Sequence, residues 1–194
     1  MQRRRWQAGK RMNNIVLCGF MGCGKSTVGK IIARKTGRRF VDMDAEIEKK
    51  TGRKIAEIFA EQGEEGFREM EHAVCADLAG RSNLVIAAGG GALTFRRNVT
   101  LFKGKDTIVL LDVPLERIRH RLRNDRVRPL LQRPDKEAVM VALYKKRRPL
   151  YRAAADVTIK GKNTPLKTAY AVMEAVGCAP GEDQPKKLDR NGLK

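Results

Sequence analysis

Five short apolar segments recur along the chain: Asn14–Cys18, Arg39–Asp42, Leu84–Ala88, Thr107–Asp112 and Asp156–Ile159. Four of them are nearly continuous in apolar residues. That pattern belongs to strands covered on both faces of a parallel sheet, because a half-exposed strand would alternate. Helical periodicity fills the intervals. Val28, Ile31 and Ile32 form one apolar stripe that stops at Gly37, and Phe67, Met70, Val74 and Leu78 form another. Thr164-Pro165 reads as an N-cap followed by proline at the first helical position, opening a last helix that runs towards Gly177. Strands alternating with helices imply right-handed βαβ units, so the expected fold is a three-layer α/β/α sandwich around a five-stranded parallel sheet. Ligands of such sheets bind beyond the carboxyl ends of the strands, which singles out the loops after Cys18, Val41, Ala88, Val113 and Ile159.

At 194 residues the chain suits one domain. Residues 13–178 carry the pattern, and the polar, basic stretches 1–12 and 179–194 are expected to be flexible arms. With 42% hydrophobic and 32% charged residues, and no apolar run near the ~18 needed to span a bilayer, no membrane role is expected. Cys18, Cys23, Cys75 and Cys178 form no C-x-x-C pair, so neither a zinc site nor a disulfide framework is expected and a reducing cytoplasm is the natural compartment. The net charge of +19 raises the question of nucleic acid. Only 5% of residues are aromatic and no stacking platform or groove-reading motif is evident, so the expectation is none.

The chemistry starts at Gly19-Phe-Met-Gly22-Cys23-Gly24-Lys25-Ser26-Thr27, which fits G-x-x-x-x-G-K-[ST] between a strand and a helix. Glycines there let backbone N–H groups curl around phosphates while the helix N-terminus adds its positive end. Gly22 to Thr27 would hold ATP, Lys25 reaching the β- and γ-phosphates and the Ser26 hydroxyl ligating Mg²⁺. Asp42 and Asp44 follow the second strand. Either can be a helix cap and a solvated neighbour, with Asp44 well placed as the cap. Beside a phosphate loop, Asp42 suits the metal, through water, and Asp44 the acceptor hydroxyl. Arg68 has Glu64 and Glu71 at helical spacing and could be a surface ion pair. Gly89-Gly90-Gly91 ends the third strand, and three glycines in a row suggest close approach of a ligand to the backbone. Arg128, anchored before Pro129 in a polar loop, is a candidate for the cation that neutralises the transferring phosphoryl group. His72 and His120 are expected on helix surfaces without partners.

Together these motifs resemble the shikimate kinase family from about Asn14 to Val176: the phosphate loop, Asp42-x-Asp44, Gly66-Phe67-Arg68-x-x-Glu71, Gly89-Gly-Gly91, Arg128-Pro-Leu-Leu131 and Arg147-x-Pro-Leu-Tyr151. The resemblance implies a nucleoside-monophosphate-kinase type of fold with a lid at about 123–134. It implies a monomeric enzyme that phosphorylates shikimate with ATP and Mg²⁺. It also implies that Asp44, Arg68, Gly89 to Gly91 and Arg147 hold the acceptor, the two arginines on its carboxylate. Arg147 rather than its neighbour Arg148 keeps the family spacing. Adenine would meet the loop after the last strand, where Lys162 or Asn163 is the candidate. Rival readings are another small-molecule kinase of the same fold, acting on gluconate or a nucleotide, a basic nucleic-acid-dependent ATPase, and a regulator that binds without turnover.

Overall fold

The structure is a computed structural model that describes residues 13–123, 135–162 and 164–178. Its strands are β1 (Ile15–Cys18), β2 (Arg39–Asp42), β3 (Leu84–Ala87), β4 (Thr107–Asp112) and β5 (Val157–Lys160). All neighbours pair in parallel, in the order β2-β3-β1-β4-β5. Every residue of β1 and β3 is buried, which accounts for their unbroken apolar sequence. β5, at the edge, alternates between half-buried and exposed positions.

Seven α-helices lie among the described residues: α1 (Lys25–Thr36), α2 (Met43–Thr51), α3 (Ile55–Gly80), α4 (Arg96–Phe102), α5 (Leu115–Leu122), α6 (Lys136–Ala154) and α7 (Pro165–Ala175). Right-handed crossovers dictate their layers. The step from β1 to β2 runs opposite to the steps β2 to β3, β3 to β4 and β4 to β5. α1 therefore covers one face, where it packs on α7, and α3, α4 and α6 cover the other. Thr164 caps α7 by accepting from Lys167 N–H at 3.2 Å, with Pro165 at its first position. α3 is interrupted at Gly63, whose backbone angles (φ 67°, ψ −170°) are not helical.

The core centres on Val16, Leu17, Ile86, Ile108 and Val109. At the amino ends of the strands, opposite the candidate site, buried Asn14 joins β1 to the starts of β3 and β4. Its N–H donates to Asp106 at 2.8 Å, its side-chain amide donates to Arg81 O at 3.0 Å, and its Oδ1 accepts from Leu84 N–H at 3.0 Å. No helix among the described residues is long and apolar enough to cross a membrane. The four cysteines are free and buried. Both expected arms, the lid with Arg128, and Asn163 lie outside the described residues.

Candidate active site

β1 leads directly into the phosphate loop. Gly19, Gly22 and Gly24 all have positive φ, and a Cβ on Gly22 would lie 2.9 Å from Leu122 of α5. Left-handed backbone and close packing together leave only glycine there. α1 begins behind Gly24 with no side-chain cap, so its first-turn N–H groups face the loop as an anion site. The Lys25 ammonium lies within the loop's curve and donates to Gly19 O at 2.9 Å and Phe20 O at 3.3 Å. Cys23 is buried behind it, and Thr27 points to solvent.

Ser26 donates to Asp42 Oδ2 at 2.6 Å. The other oxygen of Asp42 accepts the Asp44 N–H at 3.2 Å, so Asp42 is the cap of α2. This corrects the expectation that Asp44 caps that helix: the helix starts two residues earlier, so Met43 and Asp44 are already helical. Asp42 thus touches the phosphate loop with one oxygen and orients Asp44 with the other. A hydroxyl and a carboxylate oxygen this close form a hard-oxygen donor pair that fits Mg²⁺, which favours one or two such ligands and keeps its waters.

The acceptor side is assembled around Glu71. This side chain is only 1% exposed and accepts from Arg68 Nη1 at 2.7 Å, while Arg68 also binds Glu64 at 3.1 Å. Burial pushes the Glu71 carboxyl above the usual carboxylate range. The Arg68 cation opposes that shift, with Asp44 raising and Arg147 lowering it further. The Arg68–Glu71 pair is therefore not the surface ion pair that its spacing suggested; it is buried where α3 meets the loop after β3. That loop explains two of the glycines. A Cβ on Gly89 would stand 2.8 Å from Glu71 Oε1 and 2.9 Å from Asp44 Oδ1, and one on Gly91 would stand 2.6 Å from Arg68 Nη1. Gly90 instead offers its carbonyl to α6, accepting from Arg147 Nη1 at 3.3 Å and from the Tyr151 hydroxyl. Arg148 faces elsewhere. Its guanidinium grips Asp112 at the end of β4 with two hydrogen bonds of 3.0 Å, and Arg152 adds another at 2.9 Å.

Residues beyond those expected complete the site. Arg121 of α5 donates from Nη1 to the carbonyls of Gly22 and Cys23, both at 3.2 Å. One turn earlier, Arg117 holds Gly161 O and Lys162 O at 2.8 and 2.9 Å. Their i,i+4 spacing was the available signal, since it puts both on one helix face. The Lys162 side chain is exposed, and its N–H donates to Thr168 at 3.1 Å. His72 corrects the expectation of a partnerless surface histidine: its Nδ1 lies 2.6 Å from Oδ1 of buried Asn98, whose amide donates to Ala92 O at 2.9 Å. His120 is exposed.

A phosphate loop after the central strand of a sheet in this order, beside a cluster of arginines and carboxylates, defines a P-loop kinase of a small acceptor. The shikimate kinase family model matches residues 21–176. A shikimate kinase of Persephonella marina is 44% identical over 165 residues, covering 85% of this chain and 97% of that protein. One from Cupriavidus pinatubonensis is 43% identical over 161 residues, covering 82% and 84%. The solved shikimate kinase of Acinetobacter baumannii in complex with shikimate superposes with a TM-score of 0.81 at 41% identity, covering 85% of this chain and 93% of that one. A gluconokinase from Sinorhizobium meliloti, at 19% identity and TM-score 0.57, shares the fold alone. The chain belongs to the shikimate kinase family.

Proposed function

We infer that the chain transfers the γ-phosphoryl group of ATP to a ring hydroxyl of shikimate, giving shikimate 3-phosphate. The observation that carries this is the cluster beside the phosphate loop: Arg68 pairs with buried Glu71, a Cβ on Gly89 would meet both Glu71 and Asp44 inside 3.0 Å, and Arg147 reaches Gly90 O at 3.3 Å. Two guanidinium groups suit one carboxylate, which binds their planar forks, and a carboxylate at Asp44 suits hydroxyls.

In this reading Gly22 to Thr27 hold the triphosphate through backbone N–H groups, and Lys25 moves from the loop carbonyls to the β- and γ-oxygens. Arg121 fixes the loop beneath them. Ser26 and Asp42 would hold Mg²⁺, which when bound neutralises charge on the phosphates. Asp44, oriented through its N–H by Asp42, accepts the hydrogen of the attacking hydroxyl or aligns it, since a loose transition state asks for little base strength. Arg128 belongs in the lid and supplies positive charge to the transferring group. Lys162 lies in the loop that Arg117 holds, where adenine would stack. The protein acts as a cytoplasmic monomer on small molecules, without nucleic acid or membrane. Support for the reducing compartment comes from the four free buried cysteines.

The test is ADP release with ATP and Mg²⁺ across shikimate, quinate, gluconate and nucleoside monophosphates, repeated with Asp44→Asn and Arg68→Ala. Stimulation by shikimate alone, abolished by Asp44→Asn, is the expected result. Equal release with gluconate, or stimulation by DNA or RNA, overturns the reading.

A further inference from the structure

Arg68 carries more partners than an ion pair requires. Its guanidinium carbon lies 5.2 Å from the ring centroid of Phe67 and 5.2 Å from that of Phe95. Phe67 is a buried core residue, and Phe67 in turn stacks on Phe59 at 4.5 Å. Phe95 differs. It stands at the start of α4, four residues beyond Gly91, and is 37% exposed. Its ring is more than half buried, and its free face meets the Arg68 guanidinium.

The donors of Arg68 can be counted. Of its five N–H groups, Nε donates to Glu64 at 3.3 Å, one on Nη1 donates to Glu71 and one on Nη2 donates to Glu64. Among the described residues these bonds leave one N–H on each Nη available to a carboxylate. The bonds from Nε and Nη2 converge on a single oxygen of Glu64, and the bond from Nη1 alone reaches buried Glu71. Glu64 is itself 67% exposed and a weak anchor. Phe67 and Phe95 restrain the rest of the plane, since a cation over an aromatic face is held there electrostatically as well as by contact.

We propose that Phe95 is a specificity-determining positioning residue: its ring pins the Arg68 guanidinium so that the two remaining N–H groups face the acceptor's carboxylate. The proposal rests on the reading that Arg68 binds that carboxylate. It also assigns a function to a residue outside every motif of the site.

Steady-state kinetics on the full chain separate the possibilities, using Phe95→Leu, which keeps apolar bulk, Phe95→Tyr, which keeps the aromatic face, and Arg68→Lys, which keeps charge without the fork. Phe95→Leu is expected to raise KM for shikimate about 3- to 10-fold, the range of a partly exposed cation–π contact, with kcat and KM for ATP nearly unchanged. Phe95→Tyr is expected to restore KM to within about twofold of the parent. The proposal is overturned if leucine serves as well as phenylalanine, if tyrosine fails as badly as leucine, or if KM for ATP rises in step. Arg68→Lys isolates the underlying reading. If it leaves KM for shikimate unchanged, the carboxylate assignment falls and the proposal with it; if it raises KM while Phe95→Leu does not, only the role of Phe95 falls.

Discussion

Lys25 meets Gly19 across six residues of chain, whereas Arg147 meets Gly90 across 57. The two halves of the site differ mainly in this way. The phosphate side is one continuous turn whose shape follows from local backbone angles, with Asp42, Arg121 and Leu122 as distant supports. The acceptor side draws Asp44 from α2, Arg68 and Glu71 from α3, the glycines from the loop after β3 and Arg147 from α6. Its geometry exists only when the whole sheet is assembled. Triphosphate binding can therefore be shared by many proteins of this fold, while choice of acceptor depends on long-range packing.

That contrast can be broken at several points. The largest effect is expected from Lys25→Met, which removes the cation of the phosphate loop and lowers kcat by roughly a thousandfold. If the halves are separable, shikimate still binds to this variant in equilibrium titration with nearly unchanged affinity. Next is Arg147→Ala, expected to raise KM for shikimate by roughly a hundredfold, the loss of a charge-assisted fork, with KM for ATP little altered. Arg68→Ala should show the same kinetic pattern plus lower stability. It strands Glu71 as an unpaired buried carboxylate, a loss of about 3 kcal/mol readable by urea unfolding. Gly89→Ala probes the close approach itself. Its Cβ would meet both Glu71 and Asp44 inside 3.0 Å. About a tenfold loss in kcat/KM for shikimate is expected, corresponding to the ~1–3 kcal/mol typical of overpacking.

The smallest effect concerns Asp112. Burial alone would raise its carboxyl, but hydrogen bonds from Arg148 and Arg152 outweigh burial and hold it below the usual carboxylate range. A carboxyl depressed in the folded state contributes stability that is fully present above its ordinary pKa of about 3.9 and is lost as pH falls through the folded value. Asp112→Asn should flatten the acid limb of the stability profile by no more than about 1 kcal/mol, because both arginines are largely exposed. An unchanged acid limb would show that the clamp adds nothing to holding α6 in register.

The same contrast governs what could be read from the sequence. All five strands, the ends of α1 and α7 and the whole phosphate loop were legible, because each is encoded by residues adjacent in the chain. Arg147 could be preferred to Arg148 only through the family spacing that the resemblance implies, and the geometry gives the two separate tasks. Glu71 was visible as an i+3 partner of Arg68 and as the end of a motif the resemblance carries, without a role of its own. Nothing local reveals that α3 turns that pair inward against Gly89 and Gly91. Arg121 reaches Gly22 across 99 residues, and His72 reaches Asn98 across 26, so neither contact had a local signature. The choice of Asp42 over Asp44 as cap shifts the helix start by two residues, which two aspartates flanking one methionine leave undecided.

Gly63 sets a boundary in time as well as in space. The interruption it makes in α3 stops the helical hydrogen-bond ladder from running through, so segments 55–62 and 64–80 need not open together. The first buries Ile58 alone, whereas the second buries Phe67, Glu71, Val74, Cys75, Leu78 and Ala79. In deuterated solvent the amides before Gly63 should label well ahead of those after it. The wall that carries Arg68 and Glu71 then stays protected on timescales at which the stretch in front of it has already exchanged.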